Sequence, residues 1–138
     1  MPREEGGWTS VLGSAQALYA GGVSDNTEWL SIPEFADRLG VPATRVRDKM
    51  RDRAVIAVRR GPNDALAMPA GFIVQGDGGP HIIAALRGTF TLLADAGFSD
   101  DEAMDWVLAQ HEELQMSPLE SLRLGHKAHV RRLAQALL

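Results

Sequence analysis

The chain has 138 residues, room for one domain or for two small helical units sharing a core. It is 45% apolar, its apolar runs fall far short of the ~20 residues of a membrane span, and it has no cysteine. Disulfides and thiolate metal sites are therefore excluded, and a reducing cytoplasm is compatible. The net charge of −4 would argue against a polyanionic partner, but it is unevenly spread: residues 1–28 carry −3, residues 29–61 carry +4 and residues 62–138 carry −5. Charges beyond ~8 Å are largely screened at physiological salt, so a partner senses the local patch rather than the total.

Residues 1–28 are rich in Gly, Ser and Ala, with one short candidate helix at 11–19 between Gly pairs. This composition predicts a flexible N-terminal arm. Its acids Glu4 and Glu5 and its lack of a sustained apolar stretch do not match a secretory signal. A defined unit is expected over 29–76. The run SIPE at 31–34 is a capping-box pattern in which Ser31 accepts from the third helical N–H and Glu34 reaches back. Pro33 falls in the first turn, where its missing donor costs little. Ile32, Phe35, Ala36 and Leu39 share one face, and Gly40 supplies a stop. The first helix is thus predicted over 32–39, with Val41-Pro42 forcing a new start and a second helix over 43–53.

On a wheel of 100° per residue, Ala43, Val46, Met50 and Ala54 of the second helix cluster on the side that would pack on the first. Thr44, Arg45, Asp48, Lys49 and Asp52 lie opposite, flanked by Arg47, Arg51 and Arg53. Two short helices around a Gly-containing turn, the second one basic, form a helix-turn-helix pattern. The β-branched run at 54–60, the turn GPND at 61–64 and a returning strand at 65–74 then read as a hairpin wing with Arg59 and Arg60 beside its turn. Residues 75–80 look like a flexible joint; GDGG at 76–79 lacks the Lys and the following Ser or Thr of a phosphate loop.

The remainder, 77–138, reads as a helical domain. Helices are expected over 81–96, from the capping box SDDE at 99–102 to about 110, and from SPLE at 117–120 to about 136 with an interruption at Gly125. The fold class is therefore mainly α with a small β-hairpin: a winged helix-turn-helix followed by a C-terminal helical bundle.

Duplex DNA is the partner this pattern fits. Its recognition needs phosphate contacts for affinity and base-edge contacts for discrimination. Arg45 has the fork that matches guanine O6 and N7, Thr44 suits phosphate or a thymine methyl, and Arg47, Lys49 and Arg51 suit phosphate. One of Arg59 and Arg60 is aimed at backbone or minor groove by strand alternation. The competing interpretation is a solvated helix whose Asp48 and Asp52 pair with Arg45, Lys49 or Arg51 at i,i+3 and i,i+4 spacing, for ~0.2–0.5 kcal/mol each. The ordered sequence of capped helix, turn, basic helix and Arg-bearing hairpin favours DNA. No enzyme is expected, since no Ser–His–acid grouping emerges. No metal or cofactor is expected either: His126 and His129 share a face at i,i+3 but lack a third ligand.

The residues WLSIPEFADRLGVPATRVRDKMR at 29–51, VIAVRR at 55–60, MPAGF at 68–72 and LADAGFSDDEAMDW at 93–106 together resemble a small actinobacterial family of winged helix-turn-helix DNA-binding regulators. The wing is more distantly similar to that of MerR and excisionase proteins. The resemblance spans about residues 29–138 and implies DNA binding through Arg45, Lys49, Arg59 and Arg60; the reading of the whole sequence is a cytoplasmic transcriptional regulator or nucleoid-associated protein. The stretch SPLESLRLG at 117–125 also resembles a segment of Xre/MbcA/ParS-type antitoxin domains. That second likeness implies an alternative role for the C-terminal helices as a protein-interaction module, and homodimerisation through them is a further expectation.

Overall fold

The computed structural model describes residues 27–138. The expected arm therefore lies outside the described residues except for Thr27 and Glu28, and the candidate helix at 11–19 lies outside them entirely. Strand β1 (Trp29–Ser31) leads directly into α1 (Ile32–Leu39), and α2 (Ala43–Arg51) follows. Next come β2 (Val58–Arg60), β3 (Ala65–Pro69), a 3-10 turn (Ala70–Phe72), β4 (Ile73–Gly76) and β5 (Gly79–Ile82). Helices α3 (Leu86–Asp95), α4 (Asp100–Leu108), α5 (Pro118–Arg123) and α6 (Lys127–Gln135) complete the chain. The architecture is mainly α with small antiparallel sheets, a winged helix-turn-helix followed by a helical region.

Local signals explain the helices. Ser31, Ser99 and Ser117 each close a full capping box, with Glu34, Glu102 and Glu120 as the reciprocating side chains. Gly40 ends α1 in the left-handed region (φ 72°, ψ 32°), its N–H donating to the carbonyls of Ala36 and Asp37. Gly125, at φ 88°, separates α5 from α6 as the interruption in the sequence pattern suggests. Helix α2 ends two residues before the expected limit, because Asp52 caps it and Arg53 adopts φ 61°.

The strands depart from expectation, and the reasons lie in packing. Strand β2 is confined to 58–60 rather than 54–60: its pairing with β3 begins at Val58 opposite Ala67, and Val55 and Ile56 are buried in the core ahead of it. The returning strand expected over 65–74 breaks at Pro69. The chain then turns through the 3-10 segment so that Phe72 enters the core, where its ring meets Phe90 edge-on at 5.8 Å. The joint expected at 75–80 is a tight hairpin: Ile73 pairs with Ile82, and Gly76 pairs with Gly79. A Cβ at Gly76 would sit 2.6 Å from Cε1 of His81, so a larger residue there would push the exposed imidazole aside. The helix expected from residue 81 accordingly begins only at Leu86. Strand β1, absent from the sequence reading, pairs with β3 to make a three-stranded sheet in the order β1-β3-β2.

One contiguous core runs through these elements, with Phe35, Val46, Val55, Met68, Phe90 and Val130 all fully buried. It joins the helix-turn-helix to the C-terminal helices.

Two predictions follow from the caps. Gly40→Ala places a Cβ in left-handed backbone at a point with open space around it, so only conformation is penalised. We expect a loss of about 1–2 kcal/mol in urea unfolding; an unchanged midpoint would contradict the αL assignment. Glu34 and Glu102 are held below the usual carboxylate pKa, first by backbone and then by side-chain hydrogen bonds from Ser31 and Ser99. Their stabilisation is present above the usual Glu value and is lost as pH falls through the lowered one. Asp105 acts in the opposite sense, raised by burial and then by Asp101, with Arg60 opposing. Glu34→Gln/Glu102→Gln keeps both boxes but removes the titration. Its melting temperature should fall less steeply than wild type on acidification, and parallel curves would refute the linkage.

Candidate nucleic-acid interface

Helix α2 is held by its inner face and free on its outer one. It packs on α1. Val46 is its one fully buried residue, while Ala43 and Met50 are partly buried against the core. Thr44, Arg45, Arg47 and Arg51 are exposed and Lys49 is half-buried. Arg45, Arg47 and Lys49 make no ion pair among the described residues. Arg51 is paired with Asp48 one turn earlier, but both side chains remain more than half exposed, so the pair is one that solvent or a stronger anion can open.

The wing positions its two arginines differently. Gly61 (φ 80°) and Asp64 (φ 54°) shape the turn between β2 and β3, and Nη1 of Arg59 donates to the Asp64 carbonyl at 3.0 Å. Arg59 thus braces the wing tip while staying exposed. Arg60 lies with its guanidinium 4.1 Å from the Trp29 ring centroid, a cation–π contact between β2 and β1. Such a contact is worth about 0.5–1 kcal/mol at an exposed site. Arg60 also sits near enough to Asp105 of α4 to favour that carboxylate's charged form. Of the seven side chains singled out in the sequence, Thr44, Arg45, Arg47 and Lys49 gather on one helix, Arg51 joins them as half of a surface pair, and Arg59 and Arg60 stand on the wing.

Arg53, the remaining base of α2's C-terminal end, is turned to structure: its Nη2 donates to Asp100 at 3.0 Å, tying the end of α2 to the start of α4. A cation that sequence reasoning did not connect with this surface is Arg87, in the first turn of α3. It lines the same cleft as Arg45 and Lys49, about 470 Å³ in volume, floored by Leu39, Val41 and Ile83. Arg87 is 3.6 Å from Asp52, a long and exposed pair. In the sequence it lies inside the helix expected over 81–96, and only the small residues around it, Ala84, Ala85 and Gly88, set it apart.

His126 and His129 stack with ring centroids 5.6 Å apart. Among the described residues no group of three or more His, Cys, Asp or Glu is placed to hold a metal ion, and no helix is long and apolar enough to cross a membrane.

Comparison with known proteins places both halves of this arrangement. A family model for the winged helix-turn-helix domain of the DNA-binding protein Rv2175c matches residues 22–73. A second, for the Rv2175c C-terminal domain of unknown function, matches residues 83–138. The DNA-binding protein Rv2175c of Mycobacterium tuberculosis (strain ATCC 25618 / H37Rv) is 27% identical over 118 residues, which cover 77% of each chain. An NMR structure of Rv2175c aligns with a TM-score of 0.70 and 26% identity, covering 83% of this chain and 84% of that one.

Proposed function

This chain belongs to the Rv2175c family of winged helix-turn-helix proteins, carrying the family's two domains in order, and from that premise we propose that it binds duplex DNA as a sequence-specific transcriptional regulator. Helix α2 enters the major groove and the β2–β3 wing lies on the adjacent backbone or minor groove. The observation that carries this reading is the set of cations, Arg45, Arg47 and Lys49, without ion-pair partners among the described residues, on the open side of a helix whose other side is anchored in the core. Arg45 near the N-terminal end of α2 reads base edges, and Lys49 and Arg47 bind phosphate. Arg51 joins them by exchanging Asp48 for phosphate. Arg59 holds the wing tip in shape and contributes its charge there. Arg60 acts chiefly by fixing the wing on Trp29.

The division of labour that fits places DNA recognition in 29–76, with 77–138 bracing it through the common core. A second reading, in which the C-terminal helices also pair two copies or hold another protein, is favoured by the exposure of Leu124 and Leu138, at 62% and 66%.

The roles separate in a titration of variants against several duplexes at two salt concentrations. Arg45→Ala should lower discrimination at one base pair by about 1–3 kcal/mol. Lys49→Ala should weaken all duplexes evenly and reduce the salt slope by about 0.9. Indistinguishable behaviour of the two variants would reject the assignment, and retention of full affinity by both would reject the interface.

A further inference from the structure

Resting on the DNA-binding reading above, we propose that the C-terminal region supplies a second set of phosphate contacts. Duplex DNA then lies along a cationic track running from α2 across the start of α3 to α6. The observation begins in the sequence. Residues 121–138 contain Arg123, Lys127, Arg131 and Arg132 and no acid at all, in a chain whose total is −4. Helix α6 buries Val130 and Ala134 and packs on α3, which leaves Lys127, Arg131 and Arg132 on its exposed side. None of these three makes an ion pair among the described residues. Arg123 is excluded from the track because it donates to the carbonyls of Gly71 and Ile73, both at 2.7 Å.

Geometry joins this patch to α2. A cleft of about 380 Å³ between α3 and α6 is lined by Gly88, Lys127, Arg131 and Arg132, and by Ala84. Ala84 also lines the cleft that holds Arg45, Lys49 and Arg87, so the two depressions adjoin. Neither is lined by an Asp or Glu. Arg87, in the first turn of α3 just after Ala84, lines the first cleft, and among the described residues its one ionic partner is a long, exposed contact with Asp52 that a phosphate can replace. A patch of cations on a solvated helix is ordinary by itself. Here it continues a like-signed surface already facing the proposed ligand, and that ligand carries one negative charge per ~1.7 Å of axis. A short acidic peptide would need only one of the two clefts.

The test uses the full chain with Lys127→Gln/Arg131→Gln, on duplexes of roughly 12 and 30 base pairs over a range of salt. On the long duplex the log–log salt slope should fall by nearly two, at about 0.9 per phosphate contact, which is on the order of a fifty-fold loss of affinity at 0.1 M salt. The short duplex, roughly 40 Å long at about 3.4 Å per base pair, already exceeds α2 and the adjoining cleft, so it should show the same fall in slope. The charge-preserving pair Lys127→Arg/Arg131→Lys should keep the wild-type slope. If the Gln pair unfolds, the single variant Lys127→Gln should still lower the slope by about 0.9. Unchanged slopes on the long duplex, with Lys49→Ala still impaired, would overturn the track and leave the α2 interface standing. Failure of wild type to bind either duplex would overturn both.

Discussion

The proposed interface depends on how little of α2 is buried. A nine-residue helix is marginal by itself in water, since nucleation is costly and each added bond gains little. Its composition does not help, with four bases and one fully buried side chain. What orders it is the packing of Val46, with Ala43 and Met50 beside it, on the neighbour helix. Full burial of a Val-sized side chain is worth roughly 1.5–3 kcal/mol. The turn at Gly40 sets the angle at which this contact can be made, because Val41 N–H returns to the Ala36 carbonyl at 3.1 Å and Pro42 starts the new helix at once. Anchoring by one narrow apolar stripe leaves the remaining circumference to charged side chains. A wider stripe would have tilted Arg45 or Lys49 into the core and removed the outward face.

The C-terminal helices matter to this surface even before any contact with a ligand. The three-stranded sheet is small, and its outer strands have three residues each. Its inner side chains, among them Leu30, Val58 and Met68, belong to the same buried cluster as Phe90, Leu93 and Val107 of α3 and α4. Polar ties follow the same route: Arg53 to Asp100, Arg60 to Trp29 with Asp105 nearby, and Arg123 to two carbonyls around the 3-10 turn. A hydrogen bond from a charged donor is worth about 1.5–3 kcal/mol when sheltered and less when exposed, as here. These links act chiefly by fixing orientation. The wing and α2 are both registered against one helical platform, which keeps their spacing constant.

What was legible in the chain follows from which signals are local. Each of the three capping boxes is written within four consecutive residues, and each forms. The bounds of α1, the glycine stop and the separation of α5 from α6 were readable for the same reason. The outward face of α2 came directly from its periodicity. Strand β1 was not readable: three residues give no alternation to detect, and its partner Met68 lies far along the chain. The segment from Ala65 to Val74 misled because its apolar content is continuous, and the break is set by Phe72 seeking Phe90, a contact between distant positions. The glycines at 76–79 carry opposite meanings in a mobile linker and a tight hairpin; the pairing of Val74 with His81 decides between them. Trp29 as the seat of Arg60, Asp100 as the partner of Arg53, and Arg87 beside Arg45 are likewise products of tertiary folding.

The placement of acids explains how a chain of negative total charge presents a positive side. Glu34, Glu102 and Glu120 are committed to capping boxes, where their carboxylates face backbone N–H groups of their own helix starts. Asp100, Asp101 and Glu102 crowd the first turn of α4, where the helix dipole favours negative charge. Helix α2 has no acid in its first turn, and α6 has none at all. The helices whose starts are negatively charged are thus the ones that brace the fold, and those that are not carry the free cations. Where an acidic turn does come close, as Asp100 does, it is taken up by Arg53 at 3.0 Å and not by Arg45, Arg47 or Lys49. The segregation thus leaves one face attractive to a polyanion although the total is −4.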